Sequence, residues 1–262
     1  MKIFLGTLNG GGNETLLRLY RSIKKCIIPQ LKLYDWKWTV LSQGQKGSQK
    51  NIILDIKRDL KDNFTCFQSI ENLGVVVGTN DLIDYYKELN FDYFWMIDDD
   101  IEFIDNKFLL YMIHALTDLG KKTCATSVCY FGQNRVQYQR QQYQIIDVAD
   151  HGSGCTLYHK DIYDCCGYYD ENLKQYGSDT EFNNKIHTAF GDKALSLVGG
   201  NLTKHYNQTG TFNCYSREQF SDIVKKDSEY LKNKKYDPQN IYQGRTLFKV
   251  PFWKNRDFVE II

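Results

Sequence analysis

Three consecutive aspartates, Asp98, Asp99 and Asp100, follow the apolar run "FWMI", and the chain turns apolar again at Ile101 and Phe103. Alternation along a strand points Asp98 and Asp100 one way and Asp99 the other, where strand geometry persists that far. Two carboxylates about 7 Å apart at an effective dielectric near 20 repel by roughly 2 kcal/mol. Partial burial adds a desolvation cost. A hard divalent cation offsets both, because Mg²⁺ and Mn²⁺ take oxygen ligands and bridge carboxylates to phosphates. The competing reading is a solvated acidic turn that leads into a helix near Asn106.

Other residue types invite the same weighing. Asp179 sits where a helix is expected to open, so it is either a reactive carboxylate or a plain helix cap. Glu181, on another face of that helix, is the alternate carboxylate. His205 follows the apolar "LSLVGG", as a ligand or an ordinary histidine. His151, beside "GSG", touches a ligand or caps a strand. The eight cysteines form no C-x-x-C pair and have no His–Asn set near them, so they read as small buried thiols rather than zinc ligands or nucleophiles. The "NGGG" turn lacks both G-x-G-x-x-G and a following Lys, which leaves it as a hinge or a close approach to a ligand.

The elements that must position these residues alternate. "KIFLG", "WKWTVLSQG", "TCFQSI" and "YFWMI" read as strands; "ETLLRLYRSIKKC", "NIILDIKRDLKDN" and "TNDLIDYYKELN" read as helices between them. The first helix places Leu16, Leu19, Tyr20 and Ile23 on one face. The last is expected to open on a cap at Thr79 or Asn80. This order predicts an α/β sheet, largely parallel, in the first hundred residues. Ligands of such sheets bind at the carboxyl ends of the strands, where the aspartates and the "TLNGGG" turn both lie. Beyond the helix "NKFLLYMIHALTDLG", the segments "TCATSVCYF", "VQYQRQQYQIIDV" and "ALSLVGG" read as strands. The stretch from Gly152 reads as irregular until a helix from about Asp179.

The segment "NLGVVVGTNDLIDYYKELNFDYFWMIDDDIEF" resembles the nucleotide-sugar-dependent glycosyltransferases of the GT-A fold, family 2 type. Their order is N-x-G, G-x-N, helix, strand, D-x-D, and Asn72, Gly74, Gly78, Asn80, Asp98 and Asp100 stand at the matching places. "FLGTLNG" resembles the first strand and donor loop, "GSGCTLYHKDIYDCCGYYDENLKQYGSDTEF" the acceptor-side stretch, and "VGGNLTKHYNQTG" the late strand before a metal-binding His. The resemblance implies a GT-A (Rossmann-like) mixed, mostly parallel sheet flanked by helices. It places the catalytic domain at residues 1–210, followed by a C-terminal helical extension and tail at 211–262.

The activity implied is transfer of a hexosyl or pentosyl group from a nucleoside diphosphate sugar to an acceptor hydroxyl, with inversion. Asp100 and His205 would hold Mn²⁺ or Mg²⁺, the His favouring Mn²⁺. Thr7, Asn9, Asn72, Gly74, Asn80 and Asp98 would contact the donor, and Asp179 would be the general base. Two departures stand out. The family's carboxylate after the second strand is replaced by Ser42 or Gln43, and the residue before Asp179 is Ser178 rather than Glu. The rival reading is a non-catalytic nucleotide-sugar or glycan-binding relative. An oxidoreductase of the Rossmann type lacks its glycine fingerprint.

Composition sets outer limits. The 262 residues are 42% hydrophobic and 15% aromatic, enough for a core. The net charge of +1 argues against a polyanion binder as a whole. The C-terminal region nonetheless carries an excess of Lys and Arg interleaved with Tyr230, Tyr236, Tyr242, Phe248, Phe252 and Trp253. That pattern would suit nucleic acid, a hydroxylated DNA base included, or a membrane surface as an alternative to a glycan acceptor. No apolar stretch reaches the roughly 20 residues of a membrane span, and the N-terminal apolar run is too short for a signal peptide. A cytoplasmic protein is expected.

Overall fold

A computed structural model describes residues 1–10, 12–44, 50–69, 71–129, 143–174, 176–206, 216–245 and 258–260, the last by backbone alone. The first half runs β1 (Lys2–Asn9), α1 (Asn13–Ser22), a π-helical turn (Ile23–Ile27), α2 (Ile28–Leu31), β2 (Asp35–Gln43), α3 (Lys50–Leu60), β3 (Phe64–Ser69), α4 (Gly74–Leu89), β4 (Tyr93–Ile97), β5 (Ile101–Phe103) and α5 (Phe108–Thr117). The second runs β6 (Thr123–Thr126), β7 (Ile145–Asp147), β8 (Cys155–His159), α6 (Asp161–Cys165), α7 (Ser178–Phe190), β9 (Ser196–Val198), β10 (Thr203–His205), α8 (Arg217–Asn233) and β11 (Phe258–Glu260).

The main sheet has nine strands in the order β11-β3-β2-β1-β4-β8-β6-β9-β7. Strands β3, β2, β1 and β4 are mutually parallel; β8 enters antiparallel to β4 and β6, and β9 runs parallel to β6. The two rims, β11 and β7, are antiparallel to their neighbours. Helices cover both faces of the central strands, so those strands are buried on both sides and read as continuous apolar runs. Residues 93–97 of β4 are all buried. In α1, Leu16 and Leu19 are fully buried and Ile23 follows them in the π turn, as the helical spacing predicts. Each such side chain contributes about 1.5–3 kcal/mol by leaving water.

Several elements depart from the sequence expectation. Helix α4 opens at Gly74, not at Thr79 or Asn80, so both of these lie inside it. The valine run at 75–77 continues the helix because its first amides already have acceptors. Leu73 N–H donates to Gln43 Oε1 (2.8 Å) and Gly74 N–H to Asn72 Oδ1 (2.9 Å). Strand β8 lies within the stretch read as irregular. It is five residues long and buried on both faces, and it shows no alternation to read. The stretch expected to form a strand over 136–148 is strand only at Ile145–Asp147, and residues 136–142 fall outside the described residues. Among the described residues, the three-residue strands β5 and β10 pair only with each other.

The C-terminal segment returns to the sheet and to the loops beside it. β11 pairs with β3 at its edge. Helix α8 opens on a capping box between Ser216 and Gln219. Farther on, Arg245 lies buried against three carboxylates, with Nε to Glu171 at 2.6 Å, one terminal nitrogen to Asp84 at 2.7 Å and the other to Asp81 at 2.8 Å.

Candidate active site

Strand β4 ends at Ile97, and the chain turns at once. Ile101 N–H donates to Asp98 O across the turn (3.2 Å). The aspartates therefore sit on a turn, not on a continuing strand, yet the pairing predicted by alternation survives in another form. Asp98 and Asp100 converge with His205, their ligand atoms all within 4.8 Å of one another. Asp99 leaves the group, and its Oδ2 accepts from the Thr15 hydroxyl at the start of α1 (3.4 Å).

The small antiparallel pair brings in the histidine. His205 stands opposite Ile101 in the β5–β10 register, and Tyr206 N–H donates to Asp100 O (3.1 Å). Nε2 of His205 comes to 3.0 Å from Asp100 Oδ1. Asp100 and His205, 105 positions apart in sequence, become neighbours through two three-residue strands.

Asp98 is held by the G-S-G turn ahead of β8. Its N–H donates to Gly154 O at 2.7 Å. Its carboxylate occupies the space that any larger residue at 154 would fill, since a Cβ there would lie 2.5 Å from Asp98 Oδ2. Burial pushes the Asp98 carboxyl up to about 7; Asp100 adds to the rise, His205 opposes it, and Asp99 and Asp179 raise it further. The cluster is short of positive charge, and two carboxylate oxygens with one imidazole nitrogen form a donor set suited to Mn²⁺ or Mg²⁺.

Asp179 belongs to the same neighbourhood. Helix α7 starts at Ser178 with Gly177 in the capping position, so Asp179 is in the first turn and is not the cap. Its carboxylate accepts hydrogen bonds from the side chain and backbone of Ser153. Burial raises its pKa to about 6; the Ser153 bonds work against that, and Asp150 adds to it. Adjacent residues of one turn thus hold the two halves of the site, Gly154 the metal-side carboxylate and Ser153 the candidate base. Neither residue carries a role legible in the sequence, where the turn shows only as small residues ahead of Cys155.

The donor-side residues divide. Asn9, at the carboxyl end of β1, is fully buried, its Oδ1 accepting from Gly12 N–H (3.3 Å), while its Nδ2 meets no protein acceptor. Because β1 and β4 are parallel neighbours, that amide and the aspartates lie at one sheet edge. Thr7 is fully buried and its hydroxyl accepts from the Trp38 indole (3.0 Å). Asn80 clamps the chain after β8: Tyr169 N–H donates to its Oδ1 (2.9 Å), and its Nδ2 donates to Tyr169 O (2.9 Å) and Glu171 Oε1 (3.2 Å). Asn72 and Gly74 form the entry to α4, where Gln43 Oε1 accepts from Leu73 N–H and Asn72 Oδ1 from Gly74 N–H.

The remaining candidates have structural partners. Buried His151 pairs with the Thr123 hydroxyl at 2.7 Å, and burial lowers its pKa to about 4. Glu181 is fully buried, 2.6 Å from Lys234 Nζ. The described cysteines are free thiols, all buried except Cys165; Cys214 falls outside the described residues. Among the described residues, no helix is long and apolar enough to cross a membrane.

Solved structures share this architecture. TarS of S. aureus matches with a TM-score of 0.61 and 14% identity over 92% of this chain and 41% of its own. The mannosyltransferase PcManGT from Pyrobaculum calidifontis, solved with GDP-Man and Mn²⁺, matches with 0.60 and 9% identity over 90% of this chain and 66% of its own. GalNAc-T7, solved with UDP, GalNAc and Mn²⁺, matches with 0.59 and 11% identity over 86% of this chain and 47% of its own. This chain has the GT-A glycosyltransferase fold. It spans less than two thirds of the length of each of these three relatives. No protein-family profile and no curated protein matches the sequence.

Proposed function

We propose that this protein is a metal-dependent, inverting glycosyltransferase that moves a hexosyl or pentosyl group from a nucleoside diphosphate sugar to an acceptor hydroxyl, in the first instance that of a glycan. The observation that carries this reading is the convergence at one sheet edge of Asp98, Asp100 and His205, with Asp179 tethered to them through Ser153 and Gly154. The fold and the ions and nucleotides bound by similarly folded proteins support it.

Asp100 and His205 would hold Mn²⁺ or Mg²⁺, with Asp98 contacting the ribose or completing the set. Bound there, the cation supplies Lewis acidity that stabilises the departing diphosphate. The unpartnered Asn9 Nδ2 offers a buried donor to the nucleotide, which removes the cost of leaving it unmade. Thr7 and Asn80 serve the donor site by fixing the strand end and the facing loop, and Asn72 and Gly74 by setting where α4 begins.

Asp179 takes the proton of the acceptor hydroxyl as that oxygen attacks the anomeric carbon from the face opposite the diphosphate. The C–O bond to the diphosphate breaks as the new glycosidic bond forms, which inverts the configuration. A carboxyl with a pKa of about 6 is ionised at neutral pH yet more basic than an ordinary aspartate, as a general base requires. Ser153 orients it with two hydrogen bonds.

A thermal-shift screen of UDP- and GDP-sugars with and without Mn²⁺ tests the reading. At least one is expected to stabilise the protein only when the metal is present. Stabilisation by none of them, or equal stabilisation without metal, would overturn it.

A further inference from the structure

Helix α8 is not a core helix, for Asp227 is its one buried residue. Its contacts with the chain ahead of α7 come from positions 227, 230, 231 and 234, the i, i+3, i+4, i+7 stripe of one helix face and its end. All four meet one target, the segment 170–181, described except at 175, whose turn runs into the first residues of α7. The Asp227 carboxylate accepts from Lys174 N–H (3.2 Å) and Tyr176 N–H (2.8 Å). The Tyr230 hydroxyl donates to Asp170 Oδ2 at 2.7 Å. Lys234 bridges Asp170 and Glu181, the latter at 2.6 Å. Leu231 packs under Gly177, where a Cβ would lie 2.3 Å from its Cδ1, and Gly177 holds a φ of +69° that favours glycine.

The strap after the helix repeats the pattern. Gln243 N–H donates to Cys166 O (3.1 Å), its carbonyl accepts from Tyr168 N–H (3.0 Å), and its side chain reaches Asp170 (2.9 Å). Gly177 caps the helix whose first turn carries Asp179. Later chain thus engages the Lys174 and Tyr176 amides, the carboxylates of Asp170, Glu171 and Glu181, and the left-handed Gly177. The Asp98–Asp100–His205 cluster is built by other elements, the turn after β4 and strand β10.

We propose that α8 is a positioning element for the transfer step: Asp227, Tyr230, Leu231 and Lys234 hold the 170–181 turn in the conformation that aims Asp179 at the Asp98–Asp100–His205 cluster. The proposal rests on the reading of Asp179 as the general base given above. Loosening α8 should then slow the chemical step while leaving nucleotide and metal binding intact, because a base displaced by about 1 Å costs roughly a hundredfold in rate.

The test compares Asp227→Ala, the milder Asp227→Asn, Lys234→Met and Lys234→Arg in the full chain, with exposed Lys232→Ala as control. Each is measured for UDP and GDP affinity with Mn²⁺, for Mn²⁺-dependent hydrolysis of UDP-glucose, UDP-N-acetylglucosamine and GDP-mannose by water, and for deuterium exchange of the amides at 176–182. For whichever sugar nucleotide the unaltered protein cleaves, Asp227→Ala and Lys234→Met should lower kcat about 30- to 100-fold with nucleotide affinity within about twofold. Exchange at 176–182 should accelerate, and Lys234→Arg should recover much of the rate. If Asp227→Ala and Lys234→Met turn over like Lys232→Ala, or if even Asp227→Asn loses affinity and rate together, α8 is not a positioning element and the functional reading stands. If the unaltered protein neither binds UDP or GDP with Mn²⁺ nor cleaves any of the three, the functional reading falls and takes this inference with it.

Discussion

The Asp98 carboxylate lies in the space that a side chain at Gly154 would take, with a hypothetical Cβ only 2.5 Å from its Oδ2. A glycine on β8's approach thus decides where a carboxylate on β4's exit can stand. Gly154→Ala must push Asp98 away from Asp100 and His205, because the competing atom belongs to a short side chain with little freedom. Expected is a loss of at least about tenfold in Mn²⁺-dependent UDP or GDP affinity, the size typical when groups supporting a metal site are removed. Isothermal titration measures it; unchanged affinity would show that Asp98 does not need this place.

Asp99 and Asp100 are adjacent but face different partners, Thr15 in one case and His205 in the other. Asp100→Asn is expected to abolish Mn²⁺-dependent stabilisation, since it removes a charged ligand. Asp99→Asn keeps an acceptor for the Thr15 hydroxyl and should cost less than about 1.5 kcal/mol of stability, the worth of one hydrogen bond, with metal binding retained. Melting curves with and without Mn²⁺ separate the two. Equal loss of metal binding from both substitutions would mean that Asp99 belongs to the site.

The pH dependence follows from two raised carboxyls, Asp98 at about 7 and Asp179 at about 6, against an ordinary value of 3.8. In the metal-free protein, the folded state binds these protons more tightly than the unfolded chain. Their contribution to stability is therefore complete at low pH, declines as pH rises from about 4 to about 7, and is flat above that. Stabilisation by Mn²⁺ should grow over the same window, as protons stop competing with the cation. The turnover of donor should show an acid limb near pH 6 set by Asp179, and Asp179→Asn should remove turnover but not nucleotide binding. A thermal shift with Mn²⁺ that is the same at about pH 5 and about pH 7.5 would contradict the charge reading of the cluster.

The Arg245 side chain is 7% exposed and bonds Asp81, Asp84 and Glu171. Burial already raises the Asp81 carboxyl to about 7, against the lowering effect of Arg245. Arg245→Gln leaves three acidic groups without their cation and should destabilise the protein by about 3–5 kcal/mol. Adding Asp81→Asn should restore part of the loss, because one uncompensated charge is gone. Chemical denaturation of the single and double variants measures both terms. A double variant no more stable than the single would separate Asp81 from the network.

The chain itself determined the parts whose signals are local. Apolar runs in strands buried on both faces and a helical stripe such as Leu16–Leu19–Ile23 placed the elements, because burial and periodicity are written in consecutive residues, while the ordered set from Asn72 to Asp100 pointed to the GT-A fold by resemblance. Tertiary structure decided what those residues meet. Alternation along a strand predicts the pairing of Asp98 with Asp100, yet a turn and the β5–β10 pair make the cluster. Gly154, Ser153, Asp227 and Lys234 gained their roles from contacts between segments tens of residues apart. A short strand such as β10 carries too few residues to show a period, and a charged side chain on an otherwise exposed helix looks like a solvated one until its partner is in place. Non-local pairing, which no stretch of sequence encodes by itself, brings Asp98, Asp100 and His205 into one cluster and sets Asp179 beside it.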